Sequence, residues 1–322
     1  MRFGPERRSS SRLDLDPIVG LPPDLLVSDD ISLFSAETWH LPRSIFREVR
    51  KVSAGKGVTV SVLDTGCAKH PTLPEPKQRK SYVNQSALDP VSGHGTHCSG
   101  TILSRDEDIG LAPEADLDIR QVLSDQGSGG STGIAAGIND AIDANVDIIS
   151  MSLGGGSSHE PTNRAIKRAL DKGIIVVIAA GNSGFNGTTN TIGWPAKSGQ
   201  GIVVGALRQD GKPADFSSGG LQMIIAAPGQ QILSCDNRGT GFRFMSGTSM
   251  ACPFVAGCFA LIVSHARSQG SPSMTGIEAV NKFIKNNATD LLAPGHDPAT
   301  GFGMFSMLEL MQKLAKEDLI YV

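Results

Sequence analysis

Val58-Thr59-Val60-Ser61-Val62-Leu63 is closed by Asp64-Thr65-Gly66. A short run rich in β-branched side chains and bounded by a glycine turn reads as a strand. The same unit recurs along the chain. Residues 115–123 carry Leu117, Ile119 and Val122, and residues 146–153 close on Gly154-Gly155-Gly156. Residues 174–180 are apolar throughout and end in Gly181-Asn182, and residues 201–207 continue the series. Helical stretches fall between these strands. Residues 93–103 read as a loop entering a small-residue helix, residues 132–145 place Ile134, Ile138 and Ile142 at helical spacing, and residues 162–172 read as a surface helix. Alternating strands and helices require right-handed crossovers. The prediction is an α/β fold, with a mostly parallel central sheet flanked by helices on both faces.

Short strands at 222–226, 231–234 and 242–245 follow, then helices at 275–286 and 307–317. No linker divides this stretch, so residues 39–322 are expected to form a single domain. Residues 1–38 are polar and proline-rich, and are expected to be an N-terminal extension.

A chain of 322 residues with 39% hydrophobic residues and 38 glycines suits a large core with many tight turns. The net charge of −3 gives no electrostatic case for nucleic acid or an anionic membrane surface. The longest apolar runs, 174–180 and 254–263, are core-sized, so no membrane-spanning segment is expected. The N-terminus shows no apolar signal core, which favours the cytoplasm, or secretion if the chain is a processed form. Cys67, Cys98, Cys235, Cys252 and Cys258 are odd in number and lack a C-x-x-C pair, so buried free thiols are expected.

The chemistry centres on Gly247-Thr248-Ser249-Met250-Ala251-Cys252-Pro253, which leads into the apolar run 254–265. Ser249 is placed at a helix start, with Pro253 in the first turn. A hydroxyl there faces free N–H groups and the positive end of the helix dipole. Alone, it is an ordinary cap. Asp64, Gly154 and Asn182 follow strands of the predicted sheet, however, and ligand sites gather at the carboxyl ends of parallel strands. Gly93-His94-Gly95-Thr96-His97-Cys98 opens a helix that reaches the same edge.

Asp64-Thr65-Gly66, His94-Gly95-Thr96-His97, Ala180-Gly181-Asn182 and Gly247-Thr248-Ser249-Met250-Ala251 together resemble the subtilases, the subtilisin-like serine peptidases. Cys98 makes its segment similar to the proteinase K branch. The resemblance implies a serine endopeptidase with Ser249 as nucleophile, His94 as base, Asp64 as its orienting acid and Asn182 in the oxyanion hole. It implies that an extended peptide pairs between Gly127-Ser128-Gly129 and Ser152-Leu153-Gly154. Gly154, Ala179 and Ala180 would wall the first specificity pocket, and Gly193 would lie near its base. These small residues and the lack of Asp or Glu predict apolar or aromatic P1 side chains.

Other readings compete at single residues. Asp64 suits a strand-end turn. Leu63-Asp64-Thr65-Gly66 is also similar to an aspartic protease motif, but Cys67 follows it, no second copy exists and the α/β pattern is wrong. His94, His97 and Cys98 suit metal ligation, but nothing further completes a site. Gly127-Ser128-Gly129-Gly130 lacks the lysine and spacing of a nucleotide loop. A catalytically silent family member serving as a scaffold is the alternative from another class, and its usual sign, a missing triad residue, is absent.

Asp106, Glu107 and Asp108 suit structural calcium or a solvated surface run, and Ile224 stands where a calcium carboxylate would be expected, so no metal site is assigned. Residues 1–38 are too short for a folded propeptide. They are read as a latch, with Leu15-Asp16-Pro17-Ile18-Val19 in the cleft, or as a passive remnant. Partners are protein or peptide substrates, with no nucleic acid and no membrane; nothing in the sequence sets the oligomeric state.

Overall fold

The computed structural model describes residues 38–40, 43–87, 91–271 and 276–315. In chain order the elements are α1 (Arg43–Val52), β1 (Thr59–Asp64), β2 (Gln78–Ser81), α2 (His94–Leu103), β3 (Asp116–Gln121), α3 (Ser131–Asp143), β4 (Ile148–Met151) and α4 (Glu160–Asp171). There follow β5 (Ile175–Ala179), β6 (Ile202–Leu207), β7 (Ile225–Pro228), β8 (Ile232–Cys235), β9 (Phe242–Met245), α5 (Thr248–Ser268), α6 (Gly276–Asn287) and α7 (Met307–Ala315).

Seven strands form one sheet in the order β2-β3-β1-β4-β5-β6-β7. All its pairings are parallel, with Val62 of β1 opposite Ile119 on one side and Ser150 on the other. The period of two sorts the strand side chains between two cores. Val60, Val62, Val177 and Val204 join the core under α5. Leu63, Val176, Ile178 and Val203 join the core with Ile134 and Ile138 of α3 and Ile166 of α4. From β1 the sheet grows one way to β3 and β2 and the other way to β4, so the winding reverses there. Asp64 ends β1 at that switch point, where open α/β sheets bind ligands. The sandwiched parallel sheet is the architecture expected from the sequence.

Several expectations are corrected. Residues 78–81 form an edge strand pairing only with β3, although Gln78-Arg79-Lys80-Ser81 carries no apolar signal. β7 starts at Ile225 rather than residue 222. α1 was not expected; it is amphipathic, with Val49 fully buried.

α5 is the largest departure. It starts at Thr248 and runs for 21 residues, long and apolar enough by composition to cross a membrane, yet 89% of its most apolar window is buried inside the fold. Pro253 therefore lies in the second helical turn, not the first. A proline there removes the N–H that would bond the carbonyl four residues back, at Ser249. That carbonyl is taken instead by Ser152 Oγ at 2.8 Å and Cys98 Sγ at 3.4 Å.

The Leu15–Val19 stretch assigned to the latch lies outside the described residues, as does all of the extension but Thr38. Thr38 Oγ1 donates to the Asp108 carbonyl at 3.3 Å, Trp39 Nε1 donates to the Gln230 carbonyl at 2.9 Å, and the His40 ring stands edge-on to Phe254 of α5.

Candidate active site

Asp64 is buried, and its Oδ1 accepts the Thr65 N–H at 2.7 Å and lies 2.8 Å from His94 Nδ1. That contact assigns the imidazole proton to Nδ1 and leaves Nε2 as the acceptor. His94 is the first residue of α2, whose N-terminus lies directly on the β1 turn. A Cβ on Gly95 would stand 2.0 Å from the Gly66 carbonyl oxygen, so only glycine allows this approach. The Gly95 N–H donates to Thr65 Oγ1 at 3.0 Å. Local sequence thus dictates the Asp64–His94 pairing. Asp64 Oδ2 and His94 Nε2 are buried with no hydrogen-bond partner among the described residues.

Ser249, the second residue of α5, is 7% exposed and borders a cavity of about 480 Å³. Ser152, Leu153, Gly154, Ala179, Asn182 and Gly193 line the same cavity. Cys98 bridges the two halves of the site, with Sγ 3.4 Å from the Ser249 carbonyl and 3.9 Å from His94 Nδ1. Asn182 is fixed by Thr248. Its Oδ1 accepts the Thr248 N–H at 2.9 Å and the Thr248 hydroxyl at 3.0 Å, and the Gly181 N–H donates to that hydroxyl at 3.1 Å. With Oδ1 so occupied, Nδ2 faces away, beside Gly247. A Cβ on Gly247 would lie 3.4 Å from Asn182 Nδ2 and 3.5 Å from the Ser249 nitrogen. Two nitrogen donors from different elements therefore lie close to one corner beside the serine.

Not every expected residue meets this cavity. Ala180 is fully buried in the core with α3 and α4, and its carbonyl accepts the Gly193 N–H at 3.0 Å; Ala179 walls the cavity without it. Gly127, Ser128 and Gly129 lie across the end of β1, in a loop closed by Ser124 N–H donating to the Ser128 carbonyl at 2.8 Å. They follow β3, while Ser152-Leu153-Gly154 follows β4. These strands flank β1, so the two segments stand either side of Asp64.

Thr248 is a site residue to which sequence reasoning gave no role. Ser152, expected as part of the peptide-binding segment, also donates to the Ser249 carbonyl. The one signal for that second role was Pro253, whose missing N–H leaves that carbonyl in need of a donor.

Asp64, His94 and Cys98 hold potential ligand atoms within 4.8 Å of one another. In this structure these atoms are engaged otherwise: Asp64 Oδ1 with His94 Nδ1, and the Cys98 thiol, which burial and then the Asp64 charge push well up, with the Ser249 carbonyl. His97 Nε2 donates instead to the Ile232 and Arg243 carbonyls at 3.0 and 3.2 Å. Burial and the Arg243 charge press the His97 pKa down to about 3, so it stays neutral. All five cysteines are buried and free, as the sequence led one to expect.

A hydroxyl beside two nearby N–H donors, with an imidazole oriented by a buried carboxylate, is the arrangement of a serine hydrolase. Sequence comparison narrows that class to a family. The model of the subtilase family matches residues 55–303, and the chain belongs to this family. It is a serine endopeptidase. It is 41% identical over 245 residues to an intracellular serine protease of Paenibacillus polymyxa, covering 72% of this chain and 74% of the relative. It is 38% identical over 241 residues to subtilisin DY of Bacillus licheniformis, covering 74% and 85%. It is 42% identical over 241 residues to subtilisin E of Bacillus subtilis (strain 168), covering 72% and 62%.

Proposed function

We propose that this endopeptidase works through Ser249, His94 and Asp64, and that it cleaves after apolar or aromatic residues. Ser249 Oγ attacks the scissile carbonyl carbon while its proton passes to His94 Nε2. The Asp64 carboxylate, held at Nδ1, stabilises the imidazolium. The carbonyl oxygen becomes an oxyanion that takes hydrogen bonds from Asn182 Nδ2 and the Ser249 N–H. His94 returns the proton to the leaving amine, and water repeats the sequence on the acyl-enzyme. The observation that carries this reading is the closeness of Asn182 Nδ2 and the Ser249 nitrogen beside Gly247.

The peptide is read as an added strand between Gly127-Ser128-Gly129 and Ser152-Leu153-Gly154. The cavity beyond Ser249 takes the P1 side chain. Lys197 is the one charged residue lining it among the described residues, and a cation there disfavours arginine and lysine. A chromogenic peptide panel tests the specificity: apolar and aromatic P1 residues are expected to lead, and a tenfold or larger preference for arginine or lysine would sink it. A fluorophosphonate probe tests the mechanism, since labelling must vanish in Ser249→Ala.

Calcium at residues 106–108 is not part of this reading. Arg50 Nη2 donates to the Asp106 and Gly110 carbonyls at 2.8 and 3.1 Å, and Arg47 lies 3.8 Å from Glu107. The Asp106 carbonyl and the Glu107 carboxylate thus face guanidinium groups, which a hard cation would have to displace. A cytoplasmic location is our reading, supported by the relative named as an intracellular protease. The latch reading of the N-terminal arm predicts higher turnover after removal of residues 1–38, and unchanged turnover makes the arm a passive tail.

A further inference from the structure

Asp64 fixes one nitrogen of His94, but the distance from Nε2 to Ser249 depends on how two separate elements sit against each other. α2 carries the base. β9 runs through Ser246 and Gly247 into α5, which carries the nucleophile. Besides Cys98, which reaches the Ser249 carbonyl from α2, a charged side chain spans the gap from the other side. Arg243 lies in β9 and is 8% exposed. Its Nη2 donates to the Ser92 carbonyl at 3.0 Å, two residues before His94. Its Nε lies 3.7 Å from Asp236 Oδ1, which steadies the guanidinium from its own hairpin.

The contact is closest at Gly93, where φ is +73° and α2 begins. A Cβ on Gly93 would stand 2.4 Å from Arg243 Nη2 and 2.3 Å from Asn237 Oδ1. The backbone of Arg243 reaches the same helix. Its carbonyl accepts His97 Nε2–H at 3.2 Å, and the His97 N–H donates to the Gly93 carbonyl at 3.0 Å. Contacts with two carbonyls assign the proton of neutral His97 to Nε2.

We propose that Arg243 is a positioning residue for the hydrolysis, gripping from the nucleophile's strand the turn that launches the catalytic base. It touches neither substrate nor reacting atoms. It sets the register of His94 Nε2 against Ser249 Oγ, while the specificity cavity is lined without it. The proposal rests on the reading of Ser249 and His94 as nucleophile and base.

The test uses the full chain and four variants: Arg243→Ala, Arg243→Lys, Arg243→Gln and Ser249→Ala. Active sites are titrated with a fluorophosphonate, and kcat, KM and Tm are measured with one apolar peptide substrate. Because misplacement of a catalytic group by ~1 Å costs about 100-fold, kcat per titrated site should fall by up to that factor in Arg243→Ala, with KM held within about twofold. The phosphonylation rate should fall in parallel. Arg243→Lys keeps one donor for the Ser92 carbonyl and should recover about tenfold of the loss, whereas Arg243→Gln should recover less. A lowered Tm with unchanged kcat per titrated site in Arg243→Ala would show mere structural support and overturn the proposal alone. Should Arg243→Ala fail to fold, equal kcat in the Lys and Gln variants and the parent overturns it in the same way. Turnover by Ser249→Ala would overturn both the proposal and the reading beneath it.

Discussion

Asp64 and Asp118 lie on neighbouring strands of one sheet, and each is 1% exposed. Their surroundings differ in how fully polar atoms are paired. Asp118 accepts Ser61 Oγ–H at 2.6 Å and Arg120 Nε–H at 2.8 Å on one oxygen, and Arg120 Nη2–H at 2.9 Å on the other. Arg120, itself fully buried, also reaches Asp140 and, at 2.9 Å, Gln78. Asp140 accepts from Tyr82 at 2.5 Å and Lys80 at 2.8 Å. Burial opposes its ionisation, but these donors and the Arg120 charge hold its pKa below the usual carboxylate range. Around Asp64, by contrast, one carboxylate oxygen and His94 Nε2 are buried and bare. A saturated cluster rigidifies, whereas a cluster with orphaned atoms keeps its bonding capacity for a ligand or transition state. The difference distinguishes these two clusters from each other without reference to any motif.

The sharpest way to break the contrast is at the bare cluster. Ser249→Ala is expected to cut kcat by about 10⁶, a scale established for a subtilisin, a relative of this chain. Asp64→Asn should cost about 10⁴ through the wrong imidazole tautomer. Neither should lower Tm, because neither removes a saturated buried bond network. Steady-state kinetics beside thermal melts decide this, and a large Tm loss in Ser249→Ala would contradict the assignment of scaffold and chemistry to different clusters.

The saturated cluster should show the opposite profile. Arg120→Met leaves Asp118 buried and uncompensated, which costs about 3–5 kcal/mol of stability. Urea unfolding should report that loss, with kcat per titrated active site within about twofold of the parent. A kcat loss exceeding the stability loss would mean that the network serves catalysis after all.

The two clusters were unequally legible in the sequence. The placement of Asp64, His94, Asn182 and Ser249 was readable because each sits at a strand end or helix start inside a short motif, where local chain geometry determines the outcome. Arg120 was not. In a strand of alternating character, Asp118 and Arg120 look like the solvent-facing set, and only the arrival of Gln78 and Asp140 from distant elements buries them. β2 failed for a related reason, since an edge strand borrows its order from β3 and needs no apolar run. Thr248 was legible as a letter but not as a role, and Ser152 only as part of the peptide-binding segment, because their further roles depend on the carbonyl freed by Pro253 and on an amide three residues beyond β5. α5 was recognised within one residue of its start, but its last turn to Ser268 lies beyond the apolar run that marked it.

A second contrast lies within α2, where His94 and His97 stand three residues apart. His97 Nε2 donates to two carbonyls, while its Nδ1 is buried without a partner among the described residues, and its folded pKa of about 3 lies below the ordinary value of 6.5. Between these pH values the unfolded chain binds the proton that the folded chain refuses. Its contribution to stability is therefore complete above pH 6.5 and drains away as pH falls towards 3. His40, lowered to about 4 by burial, acts with the same sign. Urea midpoints of Ser249→Ala protein, which cannot digest itself, should fall on acidification from neutral pH, by an amount on the order of a few kcal/mol. His97→Gln preserves an amide donor for the carbonyls and should flatten that slope. An unchanged slope would assign the acid sensitivity elsewhere.

The smallest effect is expected at Thr248, where scaffold and chemistry meet. Its hydroxyl donates to Asn182 Oδ1 and accepts the Gly181 N–H, so it holds both ends of the segment that carries the oxyanion donor. The Thr248 N–H still holds Asn182 Oδ1 when the hydroxyl is gone. Thr248→Val should therefore loosen Asn182 rather than release it. Loss of one neutral hydrogen bond is worth about 1 kcal/mol, or about fivefold in kcat, with KM little changed. Asn182→Ala removes the donor itself and should cost about 3 kcal/mol. Thr248→Ser keeps the hydroxyl and drops the methyl, so it should match the parent if the two hydrogen bonds are what matter. If Thr248→Ser and Thr248→Val lose the same activity, the methyl group's packing positions Asn182, and the corner beside Gly247 belongs to the saturated scaffold rather than to the reactive cluster.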